Sequence, residues 1–542
     1  MKMLEREPST YEAGFTVLTK GVNLQVQDWI VGQVQDGMSV LEVGCGPGVL
    51  AWKLAQKNCL VTAIDRNPAM IDLAKTRNPA GVAHPVDFRL GSSGVLPARE
   101  GGYDVVVSTF LLSELGPLAQ QLFLRAAWGV MKPGGMLYIA EEFVPYGVRK
   151  VGFALKRWWY LRKLRRHRAG LTHPLTNFSA YLKPVGFDVV GEQNWAGGAI
   201  RGLALQKIGD RAGFYRPPPC KVTGVGSWLR VARCIFTGQI DHVAIEPGLY
   251  TSGKPTPASP VIVTANYYYT VFCVLRDLRG VDAWVLCVDS RGINVWCAAR
   301  GPDFGNAQLV EAVNASGLIQ VVSHFKLILP QLSAGGVALP ALPPDFKFRV
   351  FYGPVWSRDL PEYLREQIVR KPERMRVAHF TLAKRFQAGI THGTFLLRKF
   401  LFWPSILLLA LFIGFQWWTG VSILAWAWIA VASTALLIAL LFPIANRLRS
   451  FTRKCLLFGT VGAVLCGIAL LFVQGFTPMF PGSVALQFWL GFFATMSFSG
   501  YTMESSPRAI QGEYPAFMKW TWRVLAIALT LIALGALWDV IV

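Results

Sequence analysis

Leu41-Glu42-Val43-Gly44-Cys45-Gly46-Pro47-Gly48 decides how the first part of this chain is read. An apolar run stops at a cluster of glycines and a helix-like stretch follows; glycines at such a junction let the backbone approach a ligand closely. Alone, G-x-G-x-G serves many nucleotides. Here Val61-Thr62-Ala63-Ile64-Asp65 adds a second strand that ends in an acid, as an acceptor for a ribose diol requires. Tyr103-Asp104-Val105-Val106-Val107 falls where a fourth strand belongs, and Met131-Lys132-Pro133-Gly134-Gly135 where the turn before a fifth belongs. Strand-like and helix-like runs alternate over residues 1–210, the pattern of an α/β, doubly wound Rossmann-like sheet.

As a set, these segments resemble class I S-adenosylmethionine (SAM)-dependent methyltransferases. The resemblance implies that Glu42 lies near the methionine moiety, that Gly44, Gly46 and Gly48 run along the ligand, and that Asp65 binds the ribose. There is one departure. The family often carries an acid near the adenine before a Leu-Pro step, whereas this chain reads Gly91-Ser92-Ser93-Gly94-Val95-Leu96-Pro97. No general base stands out, and transfer from a sulfonium depends heavily on positioning, so the acceptor is not legible in this domain.

At 542 residues the chain should hold two or more domains, and its 53% hydrophobic content and mean hydropathy of +0.37 call for a membrane part. Met1 to Thr10 is polar and charged, so neither a signal peptide nor a cleavable targeting segment is expected. Nine cysteines with no C-x-x-C argue against a disulfide framework, a zinc ribbon or a built-in iron-sulfur cluster, and reduced thiols are expected. The formal net charge is +22, and its densest run, Arg149 to Arg168, has nine Lys/Arg and no acid. With Trp158, Trp159 and Tyr160 inside it, the run suits an anionic leaflet and suits a solvated basic helix equally. No nucleic-acid-binding motif accompanies the charge, so nucleic acid is not expected as a partner.

Arg216-Pro217-Pro218-Pro219, within 211–224, reads as a stiff linker. A second mixed α/β domain spans 225–385, with strands expected at Val261–Thr264, Ala283–Val288, Ile319–Val322 and Phe348–Phe351. Residues 386–542 differ in kind. Five apolar runs, 402–418, 421–442, 455–473, 483–499 and 522–542, each approach the ~20 residues that cross a bilayer, giving a five-helix transmembrane domain. Arg398 and Lys399 precede the first run, Arg447, Arg449, Arg453 and Lys454 fill the second loop, and Arg508, Lys519 and Arg523 flank the fourth. Positive loops stay inside, so a multi-pass protein of the cytoplasmic (inner) membrane is expected, with both soluble domains cytoplasmic.

In the second domain, Asn294-Val295-Trp296-Cys297-Ala298-Ala299 puts a cysteine on a short apolar turn, reached from the strand-like run Ala283 to Asp289. A lone cysteine in apolar company is ordinarily a small core residue. This hexapeptide, however, closely resembles the corrinoid-cap motif of the mercury-methylation corrinoid proteins, relatives of the corrinoid subunits of the acetyl-CoA synthase complex. Gly248-Leu249-Tyr250-Thr251-Ser252-Gly253-Lys254-Pro255, Val263-Thr264-Ala265-Asn266-Tyr267, Val322-Ser323-His324, Leu329-Pro330-Gln331-Leu332 and Tyr352-Gly353-Pro354-Val355 resemble further segments of that family, and the five-span tail matches its architecture.

The resemblance implies that Cys297 is the lower ligand of cobalt in a corrinoid (cobalamin), with Asn294, Val295, Trp296 and Ala298 along the corrin and Thr264 and Asn266 meeting its side chains or tail. Trp296 equally fits ordinary core, and the Thr264–Asn266 stretch equally fits turn chemistry. The implied function is a membrane-anchored corrinoid-dependent methyltransferase that transfers a methyl group from Cys-ligated methylcobalamin to a soft metal ion, Hg(II), giving methylmercury. SAM or a methyl-folate delivers methyl as a cation equivalent, while Hg(II) needs it with its bonding pair. Cobalt inverts the polarity, since Co(I) takes the cationic methyl and methyl-Co(III) can release an anion. The Co(III) left behind needs two electrons, so a ferredoxin-like partner with [4Fe-4S] clusters is implied. Two alternatives remain: a corrinoid methyl carrier of one-carbon (acetyl-CoA pathway) metabolism, and a non-catalytic corrinoid-binding membrane protein. The family usually continues its cap with Gly-Lys, and this chain has Arg300-Gly301.

Overall fold

The computed structural model describes residues 8–77, 79–145, 147, 150–155, 157, 174–236, 243–299, 301–368, 370–378, 381–383, 385, 433, 436–437, 440–441, 443–445, 447–448, 451–474, 480–498 and 514–541. They form two compact units. One comprises Met1–Pro218, Glu246–Tyr250 and Leu309–Ser323, the other Pro219–Ile245, Thr251–Gln308 and His324–Val542.

In the first unit, helices α1 (Pro8–Thr19), α2 (Val22–Gln33), α3 (Val49–Gln56), α4 (Pro68–Thr76), α5 (Pro117–Val130) and α6 (Phe178–Val185) accompany seven strands. These are β1 (Ser39–Val43), β2 (Leu60–Asp65), β3 (Asp87–Leu90), β4 (Tyr103–Thr109), β5 (Met131–Glu142), β6 (Phe187–Trp195) and β7 (Ile200–Lys207). Their order is β3-β2-β1-β4-β5-β7-β6. Strands β1 to β5 pair in parallel and β7 runs antiparallel to both β5 and β6. A parallel sheet needs cover on both faces, and every side chain of β1 is buried. Because neighbours on a strand point to opposite faces, Val40, Val105 and Val107 pack with Ile30 of α2, Leu54 of α3 and Ile71 of α4, while Leu41, Val43 and Val106 pack with Phe123 of α5 and Leu182 of α6.

Asp104 ties the starts of three strands together, accepting from Ser39 Oγ (2.6 Å), Ser39 N (2.9 Å) and Lys132 Nζ (2.6 Å). Burial would raise its carboxyl, but the hydrogen bonds from Lys132 and Ser39 outweigh that and hold it at about 2. The expected turn at Met131–Gly135 is a bulge at the start of β5, where the pairing jumps from Tyr103↔Met131 to Val105↔Met136. Downstream, Ala212 and Tyr215 of the expected linker pack on the α5/α6 core. Of the basic run Arg149 to Arg168, Arg157 pairs with Glu142 (2.8 Å), and all its residues except 150–155 and 157 lie outside the described residues.

The second α/β sheet contains β8 (Gly248–Ser252), β9 (Val261–Ala265), β10 (Ala283–Val288), β11 (Lys326–Leu329) and β12 (Arg349–Tyr352), ordered β12-β11-β9-β10-β8. The β9/β10, β9/β11 and β11/β12 pairs are parallel. One expectation fails. Ile319–Val322 is not a strand: Leu318–Gln320 is a 3-10 turn, and the strand lies later, at Lys326–Leu329. Gly317, in the left-handed region at φ 60°, breaks the preceding helix and starts that turn, so the β-branched residues after it never extend.

Helices α7 (Val225–Phe236), α8 (Tyr268–Asp277), α9 (Val295–Ala298), α10 (Asn306–Ser316), α11 (Leu360–Arg365) and α12 (Glu373–Arg376) follow in chain order. Three long apolar helices end the described chain: α13 (Phe451–Gln474), α14 (Phe480–Phe498) and α15 (Tyr514–Ile541). They are helical over 455–473, 483–498 and 522–541 of the last three expected runs. The first, 402–418, lies outside the described residues, as does most of 421–442. Among the described residues one helical segment, Thr452–Phe472, is long and apolar enough to cross a membrane. Helices α13 and α14 meet at glycines: a Cβ on Gly491 would lie 2.5 Å from the Phe458 carbonyl oxygen, and one on Gly459 3.0 Å from Phe488.

Gly202 of β7 gives a direct test of the first core. A Cβ there would sit 2.8 Å from the Trp29 ring and 3.0 Å from Trp195. Gly202→Ala is expected to destabilise this unit by about 1–3 kcal/mol through overpacking, read as a lowered unfolding midpoint in denaturant. An unchanged midpoint would show that the Trp29–Trp195 pair yields freely.

Candidate functional site

The first sheet reverses direction between β1 and β4, and loops leaving adjacent carboxyl ends there part to open a crevice. The Gly44–Gly48 loop fills the start of it. Gly44, Gly46 and Gly48 all have positive φ (79°, 51° and 75°). Gly48 is required by packing, because a Cβ would approach Ala74 to 2.8 Å and the Phe88 ring to 2.9 Å. Gly46 instead faces open space, with the Tyr11 ring 3.9 Å from its would-be Cβ. Asp65, at the end of β2, is pinned beside the loop: its Oδ2 accepts from Gly46 N (2.9 Å) and its Oδ1 from Asn67 N (2.8 Å).

Glu42 lies at the base of the crevice, 3% exposed, with Oε2 buried and unpartnered. Burial first, and the Asp65 carboxylate second, push its carboxyl up to about 8, partly countered by a hydrogen bond from the Ala51 backbone. A buried acid with an unmatched oxygen is complementary to a cationic ligand group, which would restore its charged form.

Three further features border the crevice without any signal in the sequence reading. Tyr11 and Phe15 of α1 stack at 5.7 Å, and Phe15 meets Phe110 edge-on at 5.0 Å, forming an aromatic wall. Phe110 adopts φ 53°, rare for a bulky residue, just past β4, with its N–H donating to Ala140 O (2.9 Å). Glu141, fully buried, accepts from Leu112 N (2.6 Å) and Ser113 N (3.1 Å) and so fixes the segment after β4; burial pushes it up to about 8 against those bonds. Where the acid near adenine is missing, an open depression of about 160 Å³ is lined by Ile64, Arg89, Leu90, Gly91, Val95, Leu96 and Pro97.

The second sheet also reverses. From β9 the chain passes to β10 on one side, then returns to β11 and β12 on the other. Thr264 and Asn266 lie at the carboxyl end of β9, and Asn294–Ala299 follows the carboxyl end of β10, so the structure brings these predicted residues to one sheet edge. Leu329 and Tyr352 close β11 and β12 at that edge. Cys297 lies on the one-turn helix α9, closed by Ala298 N to Asn294 O and Ala299 N to Val295 O, both 2.9 Å. Val295 and Ala298 are buried. The side chains of Trp296 and Cys297 and the whole of Arg300 lie outside the described residues; Gly301 N donates to Ala298 O (3.0 Å).

Thr264 is completely buried and its Oγ1 has no hydrogen-bond partner. Asn266, by contrast, is fully engaged within the protein. His324 braces a loop, its Nδ1 accepting from Lys326 N (3.2 Å) and its Nε2 meeting Ser259 O (2.9 Å). In the Gly248–Pro255 segment, Lys254 N donates to Asp282 Oδ1 (2.8 Å). Among the described residues no three His, Cys, Asp or Glu side chains cluster to hold a metal ion.

The strand order and glycine loop define the first unit as a Rossmann-like methyltransferase fold, joined to a second α/β region. Comparison with known proteins agrees. Residues 40–135 match the family described as "Methyltransferase domain", and residues 224–337 match "CO dehydrogenase/acetyl-CoA synthase delta subunit". The chain is homologous to "Acetyl-CoA decarbonylase/synthase complex subunit gamma" of Methanopyrus kandleri, 30% identical over 145 residues, covering 26% of this chain and 30% of that protein. The Methanocaldococcus jannaschii subunit of the same name is 34% identical over 108 residues, or 20% of this chain and 22% of its own. The chain thus spans less than a third of the length of these relatives. Among solved structures, a SAM-dependent methyltransferase from Methanosarcina mazei aligns with 33% of this chain and 97% of its own at 23% identity and a TM-score of 0.28.

Glu42 makes the first crevice pH-sensitive in two ways. Its folded carboxyl, at about 8, lies above the unfolded value of 4.5, so the stability it contributes is full below about 4.5 and is lost as pH rises through 8. A cationic ligand needs the ionised form. Affinity for SAM is therefore expected to rise with pH up to 8, by no more than about tenfold per unit, and to level above it. Calorimetric titration at pH 6.5 and 8.5 measures the slope, and Glu42→Gln should flatten it; a slope surviving in that variant would assign it to another group.

Proposed function

We propose that this chain is a membrane-anchored, corrinoid-dependent methyltransferase that passes a methyl group to a soft metal ion, Hg(II), with Cys297 as the lower cobalt ligand and a fused SAM-dependent domain. The observation that carries this reading is the Asn294–Ala299 segment, which leaves the carboxyl end of β10 at the sheet edge where the strand order reverses between β9 and β11. Thr264 adds to it: a hydroxyl with no partner in a fully buried position calls for a polar group that the protein alone does not supply.

A bound corrinoid would supply a metal able to take methyl as a cation equivalent and give it up with its bonding pair. The chain's own residues do the rest. The Cys297 thiolate would hold the cobalt and, as a strong donor, would make a cobalt-bound methyl more carbanion-like. Buried Val295 and Ala298 anchor the cap, and Asn294, Trp296 and Thr264 are the residues proposed around the corrin. In the first unit Glu42, once ionised, matches the charge of the methionine moiety of SAM, Gly46 leaves its backbone open to the ligand, and Asp65 meets the ribose. The depression lined by Ile64, Leu90, Val95 and Leu96 takes the adenine by apolar contact, in place of an acid. Reduction of cobalt falls to a separate ferredoxin-like protein with [4Fe-4S] clusters. Anchoring in a bilayer is supported by Thr452–Phe472 and by the glycine seam of α13 and α14, where close backbone approach is the usual means of helix association in lipid.

A second reading, a corrinoid methyl carrier of one-carbon metabolism, is favoured by the delta-subunit family match and the gamma-subunit relatives. Two measurements separate the readings. Cys297→Ala in the full chain should abolish methylmercury formation while SAM binding by the first unit persists, and unchanged methylmercury formation would end the proposal. With labelled SAM and labelled methyl-folate offered in turn, label reaching Hg(II) supports the first reading; label reaching only an acetyl-CoA-forming partner supports the second.

A further inference from the structure

The helix that carries Cys297 is one turn long, too short to hold its own shape, so its geometry must be imposed from outside. Asn266 imposes it at the upstream end. This residue is 2% exposed, one position beyond β9. Its Oδ1 accepts from Ser290 N (3.0 Å), Ser290 Oγ (2.9 Å) and Gly292 N (3.0 Å), while its Nδ2 donates to Ile245 O (3.1 Å) and Asp289 Oδ1 (3.3 Å). A carboxamide has two donor hydrogens and one acceptor oxygen, and all are taken by the protein.

The turn so gripped is unusual. Arg291 and Gly292 are both left-handed (φ 58° and 72°), and Asp289 Oδ1 also accepts from Arg291 N (3.0 Å). Gly292 lies so close to Ala244 that a Cβ would meet it at 2.9 Å. At the downstream end, Asn306 exchanges hydrogen bonds with Ala338 (2.9 and 3.0 Å), and the Gly336 backbone presses on Ala299, where a Cβ would lie 2.6 Å from the carbonyl oxygen.

We infer that Asn266 is a positioning residue for Cys297, acting through the Ser290–Gly292 turn to aim the cap, and not a corrin contact. The inference rests on the proposed role of Cys297 as cobalt ligand. Asn266→Asp keeps the acceptor but loses both donors and faces the Asp289 carboxylate. Ser290→Ala removes a hydroxyl whose one hydrogen is shared between Asn266 Oδ1 (2.9 Å) and Ile293 O (2.7 Å), leaves both Asn266 donors in place, and is the milder variant should the first fail to fold.

The test uses the full chain loaded with cobalamin. Alkylation of Cys297 by iodoacetamide is followed by peptide mass spectrometry, together with the cobalt midpoint potential and, as a check on folding, SAM binding. In the wild type, cobalamin should protect Cys297. In Asn266→Asp the thiol should be alkylated about tenfold faster with cobalamin still bound, the potential should shift, and SAM binding should be unchanged; Ser290→Ala should fall between. Wild-type protection and potential in both variants overturn the positioning role. A wild-type Cys297 alkylated equally with and without cobalamin would instead overturn the ligand assignment, and the inference with it.

Discussion

A parallel strand delivers its chain at one edge only, and where successive strands add to opposite sides, the two loops at that edge must diverge. Both α/β sheets here obey this constraint, at β1/β4 in the first and at β9/β11 in the second. The glycine loop, Asp65 and the segment after β4 meet at one reversal; Thr264, Asn266 and the Cys297 helix meet at the other. The concavities arise from topology, and side chains then determine what each accepts.

Polar burial separates framework from function. Asp104 and Asn266 each have a complete set of partners, and each fixes backbone from several places at once. Glu42 Oε2 and Ser108 Oγ in the first sheet and Thr264 Oγ1 in the second are buried without partners, all three on strands that end at a reversal. An unsatisfied buried group costs roughly 1–3 kcal/mol, a cost that a polar partner at such an edge would remove. Glu141 shows the opposite balance: it is just as buried, yet both oxygens serve backbone N–H groups that shape the rim.

What the sequence could reveal depended on how local the signal was. Glycines and an acid at strand ends have spacing dictated by strand–turn–helix geometry, so Gly44, Gly46, Gly48 and Asp65 were legible and do converge. Cys297 was singled out only through resemblance, because a single thiol among apolar residues carries no pattern of its own. Tyr11, Phe15 and Glu141 reach the first crevice from elements whose distance in sequence is arbitrary, and no periodicity could flag them. The false strand at Ile319–Val322 shows β-branched content overruled by one left-handed glycine. The engagement of Asn266 was hidden for a related reason, since its partners come from Ile245 and from the 289–292 turn.

The seam between α13 and α14 has its own implication. With Gly459 and Gly491 so close to the opposing backbone, the two helices are keyed in azimuth, and neither can spin about its axis without driving a neighbouring Phe458 or Phe488 into the other. Whatever face each presents outward is thereby set once, so the pair behaves as a single stiff rod instead of two independent ones.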